Sequence, residues 1–224
     1  MAFDDFDEYE QSEQVRKWLR ENGLSIVIGV VLALALIFGW RQWQAHRASH
    51  GAQAAERYAA LQTALAAGQT AQANSAAETL EKDYADSPYA ALGAAARADL
   101  AVAQGKLDEA HAALQWAVDH EKTAPLHSLY LLRLTRVELA QGNASQALAH
   151  LQSVPAQDYR AIAQELRGDA LLKLGRAADA RAAYTVALAA MSKDAAPGQR
   201  QSLQMKLDDL ASSTRAQQPG KQGT

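Results

Sequence analysis

The sequence predicts an all-α protein. It places one transmembrane helix near the N-terminus, then a solenoid of about four helix pairs, then a C-terminal capping helix. Three observations predict this. Residues 22–40 carry no charge, a Gly-x4-Ala pattern recurs four times downstream, and alanine accounts for much of a hydrophobic fraction of 49% at a mean hydropathy of only −0.26. Alanine favours helix and fills narrow gaps, so the expected helices pack closely.

Composition removes several function classes. There are no cysteines, which excludes disulfides, thiolate catalysis and cysteine-ligated metals. The net charge of −3 and the lack of a basic stripe argue against nucleic acid. The charge is uneven. Residues 1–22 hold seven acids and three bases, a balance of −4, and residues 41–224 hold 18 acids and 19 bases. Residues 1–21 are therefore read as a short acidic tail, solvated and without fixed structure.

Residues 22–43 are read as the anchor, with Leu24, Ile28, Leu32, Leu36 and Trp40 along it. As a helix, 19 uncharged residues reach roughly 28 Å, close to the hydrocarbon thickness of a bilayer. Eleven of them are Leu, Ile, Val or Phe, and no polar stripe interrupts them. Such a helix is either wholly buried in protein or surrounded by lipid. Trp18 at one end, and Trp40 and Trp43 at the other, match the headgroup level, and Arg20 and Arg41 bracket the span. A cleaved signal peptide has a shorter apolar core and a small-x-small site after it; here the sequence continues Trp-Arg-Gln-Trp-Gln. An uncleaved anchor is expected. Flanking charges nearly tie, and weighting the nearest ones favours a cytoplasmic N-terminus. Gly29-x-x-x-Ala33 and Ala35-x-x-x-Gly39 have the spacing that allows helices to meet closely in a membrane.

Residues 44–211 form the repeat domain. The motif reads GQTAQA at 68–73, GKLDEA at 105–110, GNASQA at 142–147 and GRAADA at 175–180. Gly68, Gly105, Gly142 and Gly175 are 37, 37 and 33 residues apart, near the 34-residue period of tetratricopeptide units. Each glycine is expected to end a first helix at positive φ, with the second helix opening two or three residues later. Ala73, Ala110, Ala147 and Ala180 are expected where the two helices cross. In the fourth unit Gly168, Leu171, Tyr184 and Ala187 also fall at consensus offsets. Pro88 and Pro125 open first helices, where a missing N–H costs nothing. Leu129, Leu132 and Val137 give the third unit an apolar face. Leu203, Leu207 and Leu210 recur at i, i+4, i+7 in a capping helix opening near Gly198. Residues 212–224 lack apolar side chains and are read as disordered.

No catalytic constellation is present, and no enzymatic role, cofactor or metal is expected. His46 and His50 share a helix face but have no carboxylate one turn away. Asp208 and Asp209 diverge by about 100° on a helix and make a poor acid–base pair. What remains is a binding surface on the concave side of the solenoid. If each turn glycine is position 15, position 5 holds Tyr58, Ala95, Leu132 and Glu165, and position 9 holds Gln62, Asp99, Arg136 and Asp169. Tyr58, Gln62, Asp99, Leu132, Arg136, Glu165 and Asp169 are the candidate partner contacts, and ordinary solvated helix surface is the alternative.

QVRKWLRENG, GWRQW, LLRLTRVELAQG and LRGDALLKLG resemble the ancillary SecYEG translocon subunit family, the YfgM-like inner-membrane proteins of Gram-negative bacteria. The resemblance runs from about Gln14 to Leu210. It implies a single-pass inner-membrane protein with a short cytoplasmic N-terminus and a periplasmic repeat domain. It further implies association with the SecYEG translocon and with a PpiD-type periplasmic chaperone, and help in handing over exported chains. It carries no catalytic residues. A second functional reading is a transmembrane regulatory coupler, in which Phe3, Phe6 and Tyr9 form an apolar stripe for a cytoplasmic partner.

Overall fold

The computed structural model describes residues 4–191 and 197–216. Among them every regular element is an α-helix: α1 (Asp4–Ala66), α2 (Thr70–Asp83), α3 (Pro88–Ala103), α4 (Leu107–His120), α5 (Ala124–Ala140), α6 (Ala144–Ser153), α7 (Arg160–Lys173), α8 (Ala177–Ala190) and α9 (Pro197–Ala216). The chain divides into two compact units, residues 1–53 and 54–224. The first contains the apolar helix and the second the repeats.

In the first unit helix begins at Asp4, inside the acidic stretch read from sequence as unstructured. The stripe expected from Phe3, Phe6 and Tyr9 lies outside the residues whose side chains are described. Among the described residues none covers the apolar segment. Leu24, Ile28, Leu32, Leu36, Phe38 and Trp40 are all more than half exposed. Of the described helices, this one alone is long and apolar enough to cross a membrane. At its downstream end the Trp40 and Trp43 rings lie 5.1 Å apart, and the Arg47 guanidinium sits 4.5 Å over the Trp43 ring.

The second unit follows the glycine period. Gly68, Gly105, Gly142 and Gly175 have φ of 68°, 72°, 88° and 74°, and the next helix opens two residues after each. The four turns share one pattern, shown by the third. The Gly142 N–H donates to the Leu139 carbonyl at 3.1 Å and the Asn143 N–H to the Glu138 carbonyl at 2.8 Å. These two bonds satisfy carbonyls that the helix end would otherwise orphan, and they require a left-handed residue between them. Ala73, Ala110, Ala147 and Ala180 are fully buried. α1 and α2 join through Ala54, Leu61 and Ala64 against Ala73, Ala77 and Leu80. Among the described residues Ala54 is the first that is fully buried, and the second compact unit starts there. α8 packs tightly on α7 at Gly168, where a Cβ would fall 2.3 Å from the Tyr184 ring.

α9 closes the stack. Leu203 and Leu210 are buried with Leu171, Ala183 and Tyr184, and Leu207 packs beside them. Helix continues to Ala216, five residues into the segment read as disordered. Residues 217–224 lie outside the described residues.

Candidate partner-binding groove

Positions 5 and 9 of the first helices separate into three environments. At the N-terminal end, the Gln62 side chain donates to the Tyr58 hydroxyl at 2.7 Å, and the Tyr58 ring meets Tyr89 at 5.5 Å. On α3, Asp99 is exposed and ion-paired with Arg133 of α5. Arg133 also donates to the Ala95 carbonyl at 3.4 Å, so it ties two neighbouring first helices together.

In the middle, Leu132 is 1% exposed. This corrects the expectation that it contacts a partner. Ile162 and Leu166 of α7 belong to the same apolar cluster, so stacking α7 on α5 buries a position that repeat counting assigned to the open face. Ala95, also at position 5, is buried as well.

At the C-terminal end, Glu165 and Asp169 are half-buried and share one cation. Lys206 of α9 places Nζ 2.8 Å from Glu165 Oε1, and 2.8 Å and 3.0 Å from the two Asp169 oxygens. The Tyr184 hydroxyl donates to Asp169 Oδ1 at 2.6 Å. Burial alone would lower the Lys206 pKa, but its hydrogen bonds to Asp169 and Glu165 outweigh burial and hold it above the ordinary lysine value. Burial, followed by the bond to Asp169, pushes the Tyr184 phenol well above its ordinary value. Both carboxylates are therefore committed to holding α7, α8 and α9 together. Sequence reading missed Lys206 because a partner 41 residues away leaves no periodic signal.

Arg136 is different. It is exposed and has no ion pair among the described residues. It lines two clefts, one of about 580 Å³ shared with Ile162, Glu165 and Leu203, the other of about 440 Å³ shared with Leu139, Leu166, Asp169 and Leu172.

A profile for a tetratricopeptide repeat-like domain matches residues 16–212. The chain is 30% identical over 204 residues to the ancillary SecYEG translocon subunit of Escherichia coli (strain K12), covering 91% of this chain and 97% of that one. The chain belongs to the ancillary SecYEG translocon subunit family. Proteins of the same name from Haemophilus influenzae and Neisseria gonorrhoeae are 26% and 25% identical, each over 91% of this chain and 98% and 97% of theirs.

This member of the family also buries one polar cluster that the sequence left as scattered residues. Glu138 of α5 is fully buried between His111 of α4 and His150 of α6. His150 Nδ1 lies 3.0 Å and 3.1 Å from the two carboxyl oxygens, and His111 Nε2 lies 3.5 Å from Oε1. The equivalent residues, four before each turn glycine, are Ala64, Ala101 and Leu171, all buried. The third repeat thus substitutes a hydrogen-bonded carboxyl for apolar filling. Among the described residues, no group of three or more His, Asp or Glu forms a metal site.

Proposed function

We propose that this protein is a membrane-anchored accessory of the Sec translocon. In this reading its N-terminus is cytoplasmic and its repeat domain periplasmic. The repeats hold a PpiD-type chaperone near the channel and help pass newly exported chains to it. One observation carries the reading: likeness over 91% of the chain to relatives named as ancillary SecYEG translocon subunits. The exposed apolar helix supports the membrane tether. The clefts that Arg136 lines, with Glu165 and Asp169 in their wall, support a protein partner, and Tyr58, Gln62 and Asp99 are proposed as further contacts. A tether helps by raising the local concentration of emerging chains without adding contacts.

The test is purification of the tagged full-length chain from membranes in mild detergent. Translocon subunits and a membrane-anchored periplasmic chaperone should co-purify. Absence of both would remove the assignment. Protease added to intact spheroplasts should cleave the repeat domain; protection would reverse the orientation.

A further inference from the structure

We propose that Arg47, held over Trp43 just past the apolar span, binds the phosphodiester of an anionic phospholipid in the leaflet at the downstream end of that span. The inference rests on the membrane-anchor part of the proposed function and goes beyond it. It gives one end of the anchor a lipid preference that needs no translocon contact.

The first observation is geometric. Trp40, Trp43 and Arg47 stand at i, i+3 and i+7 of α1 and share one helix face. The two rings lie 5.1 Å apart, and the Arg47 guanidinium lies 4.5 Å over the Trp43 ring. Trp40 is 59% exposed and Trp43 47%, and Arg47 is exposed as well. A guanidinium over a ring keeps its full charge, and its N–H edge still fits two phosphate oxygens.

The second is depth. Trp40 ends the uncharged stretch, and Trp43 follows three residues later, about 4.5 Å along the helix axis. The interfacial layer is about 5–8 Å deep on each side of the hydrocarbon core. By reaching back over Trp43, Arg47 brings its charge to the level of the lipid phosphates, although its own backbone stands about 10 Å past the span.

The third is charge. Residues 22–55 contain no Asp or Glu, and within them lie Arg41, His46, Arg47 and His50. The upstream flank is mixed in sign, with Arg16, Lys17 and Arg20 set between Glu13 and Glu21. A flank of one sign draws anionic lipid. A zwitterionic headgroup fits less well, because its own ammonium sits beside the phosphate and meets the arginine with like charge.

The experiment uses the full-length chain with Trp18→Phe and Trp116→Phe, which leaves Trp40 and Trp43 as the reporters. It is reconstituted in phosphatidylcholine vesicles containing a minority of phosphatidylglycerol, with bromine on the acyl chains of one lipid or the other. Tryptophan quenching should give phosphatidylglycerol a relative association constant about fivefold higher, the scale of one basic residue at an anionic surface. Arg47→Gln should reduce the preference to about twofold or less, and Arg47→Lys, which keeps the charge without the planar fork, should fall between. Arg20→Gln, at the other end of the span, should leave it unchanged. In about 1 M NaCl the preference should weaken, because the screening length contracts to about 3 Å. Inorganic phosphate at matched ionic strength should compete no better than chloride; selective competition would overturn the lipid assignment in favour of a free-phosphate site. Equal quenching by the two brominated lipids overturns the proposal and leaves the anchor standing. The same holds if Arg41→Gln lowers the preference as much as Arg47→Gln, since the attraction would then be diffuse. Absence of quenching by either lipid removes the anchor itself, and this site with it. Loss of translocon co-purification with the lipid preference retained would sink the Sec reading alone.

Discussion

Tyr130 is 1% exposed, and its hydroxyl has no hydrogen-bond partner among the described residues. A buried, unpaired hydroxyl costs folding energy that a phenyl ring does not. Tyr130→Phe should therefore be neutral or stabilising by up to about 1 kcal/mol at pH 7, read as an unchanged or higher urea midpoint. Burial, and then the nearby Glu121 charge, pushes the Tyr130 phenol up to about 12. A raised value means that the folded state holds the proton more tightly. Its contribution is complete below the ordinary tyrosine value and is lost as pH rises through about 12. The Phe variant should lose less stability than the parent between about pH 10 and pH 12; identical alkaline titrations would contradict this. Glu138 calls for a different pair of substitutions. Glu138→Leu restores the carbon found at this position in the fourth repeat and should stay within about 1 kcal/mol of the parent, because a buried polar cluster is often no better than apolar packing. Glu138→Ala leaves a cavity between His111 and His150 and should cost about 2–4 kcal/mol by chemical denaturation. Equal losses from the two changes would show that the carboxyl itself holds this junction.

At the scale of elements, the capping helix depends on Lys206. From α9 its ammonium binds Glu165 and Asp169 of α7, and Tyr184 of α8 donates to the same Asp169. Lys206→Met keeps the aliphatic stem and leaves two carboxylates without their cation. The side chains are about one third exposed, so solvent screens part of the effect, and a loss of about 1–2 kcal/mol is expected. It should appear as faster amide exchange in α9 with α3–α6 unaltered, and Lys206→Arg should recover most of the protection. Uniform loss across the solenoid would mean that the repeats fold as one block. What the sequence disclosed about these elements follows from the range of the forces involved. The turns were legible because positive φ excludes most residues, and the crossing alanines because two backbones leave room for one methyl group. The cap was legible from Leu203, Leu207 and Leu210 as a helix, but its ion pairs were not, since they bridge 37 and 41 residues. Leu132 was misplaced because counting positions within a repeat does not reveal how closely the next first helix approaches. Glu138 went unnoticed because its two histidines come from different helices and share no spacing.

At the scale of the whole molecule, the two units pose separate questions, and the apolar helix can act in two ways. It can be a passive tether, or it can meet another helix through Gly29 and Ala33 or Ala35 and Gly39. The structure leaves these glycines open: a Cβ at Gly29 or Gly39 meets nothing within 4 Å. Small residues at four-residue spacing permit close contact in lipid but do not by themselves drive it. A tether contributes only proximity, so its sequence should be interchangeable provided that it spans the bilayer and keeps its flanks. Replacing residues 22–40 by an unrelated Leu-rich span of the same length, with Trp18, Arg20, Arg41 and Trp43 retained, should leave co-purification with the translocon at the parental level. Exporting residues 44–224 without any anchor should lower it by roughly a hundredfold at equal expression, the usual gain from confinement on a short linker, and overexpression should partly restore it by mass action. Loss of association in the replaced-span protein, with the chain still in the membrane fraction, would instead assign the interaction to the span itself. The small-residue face would then be the contact, and Gly29→Leu alone should reproduce the loss.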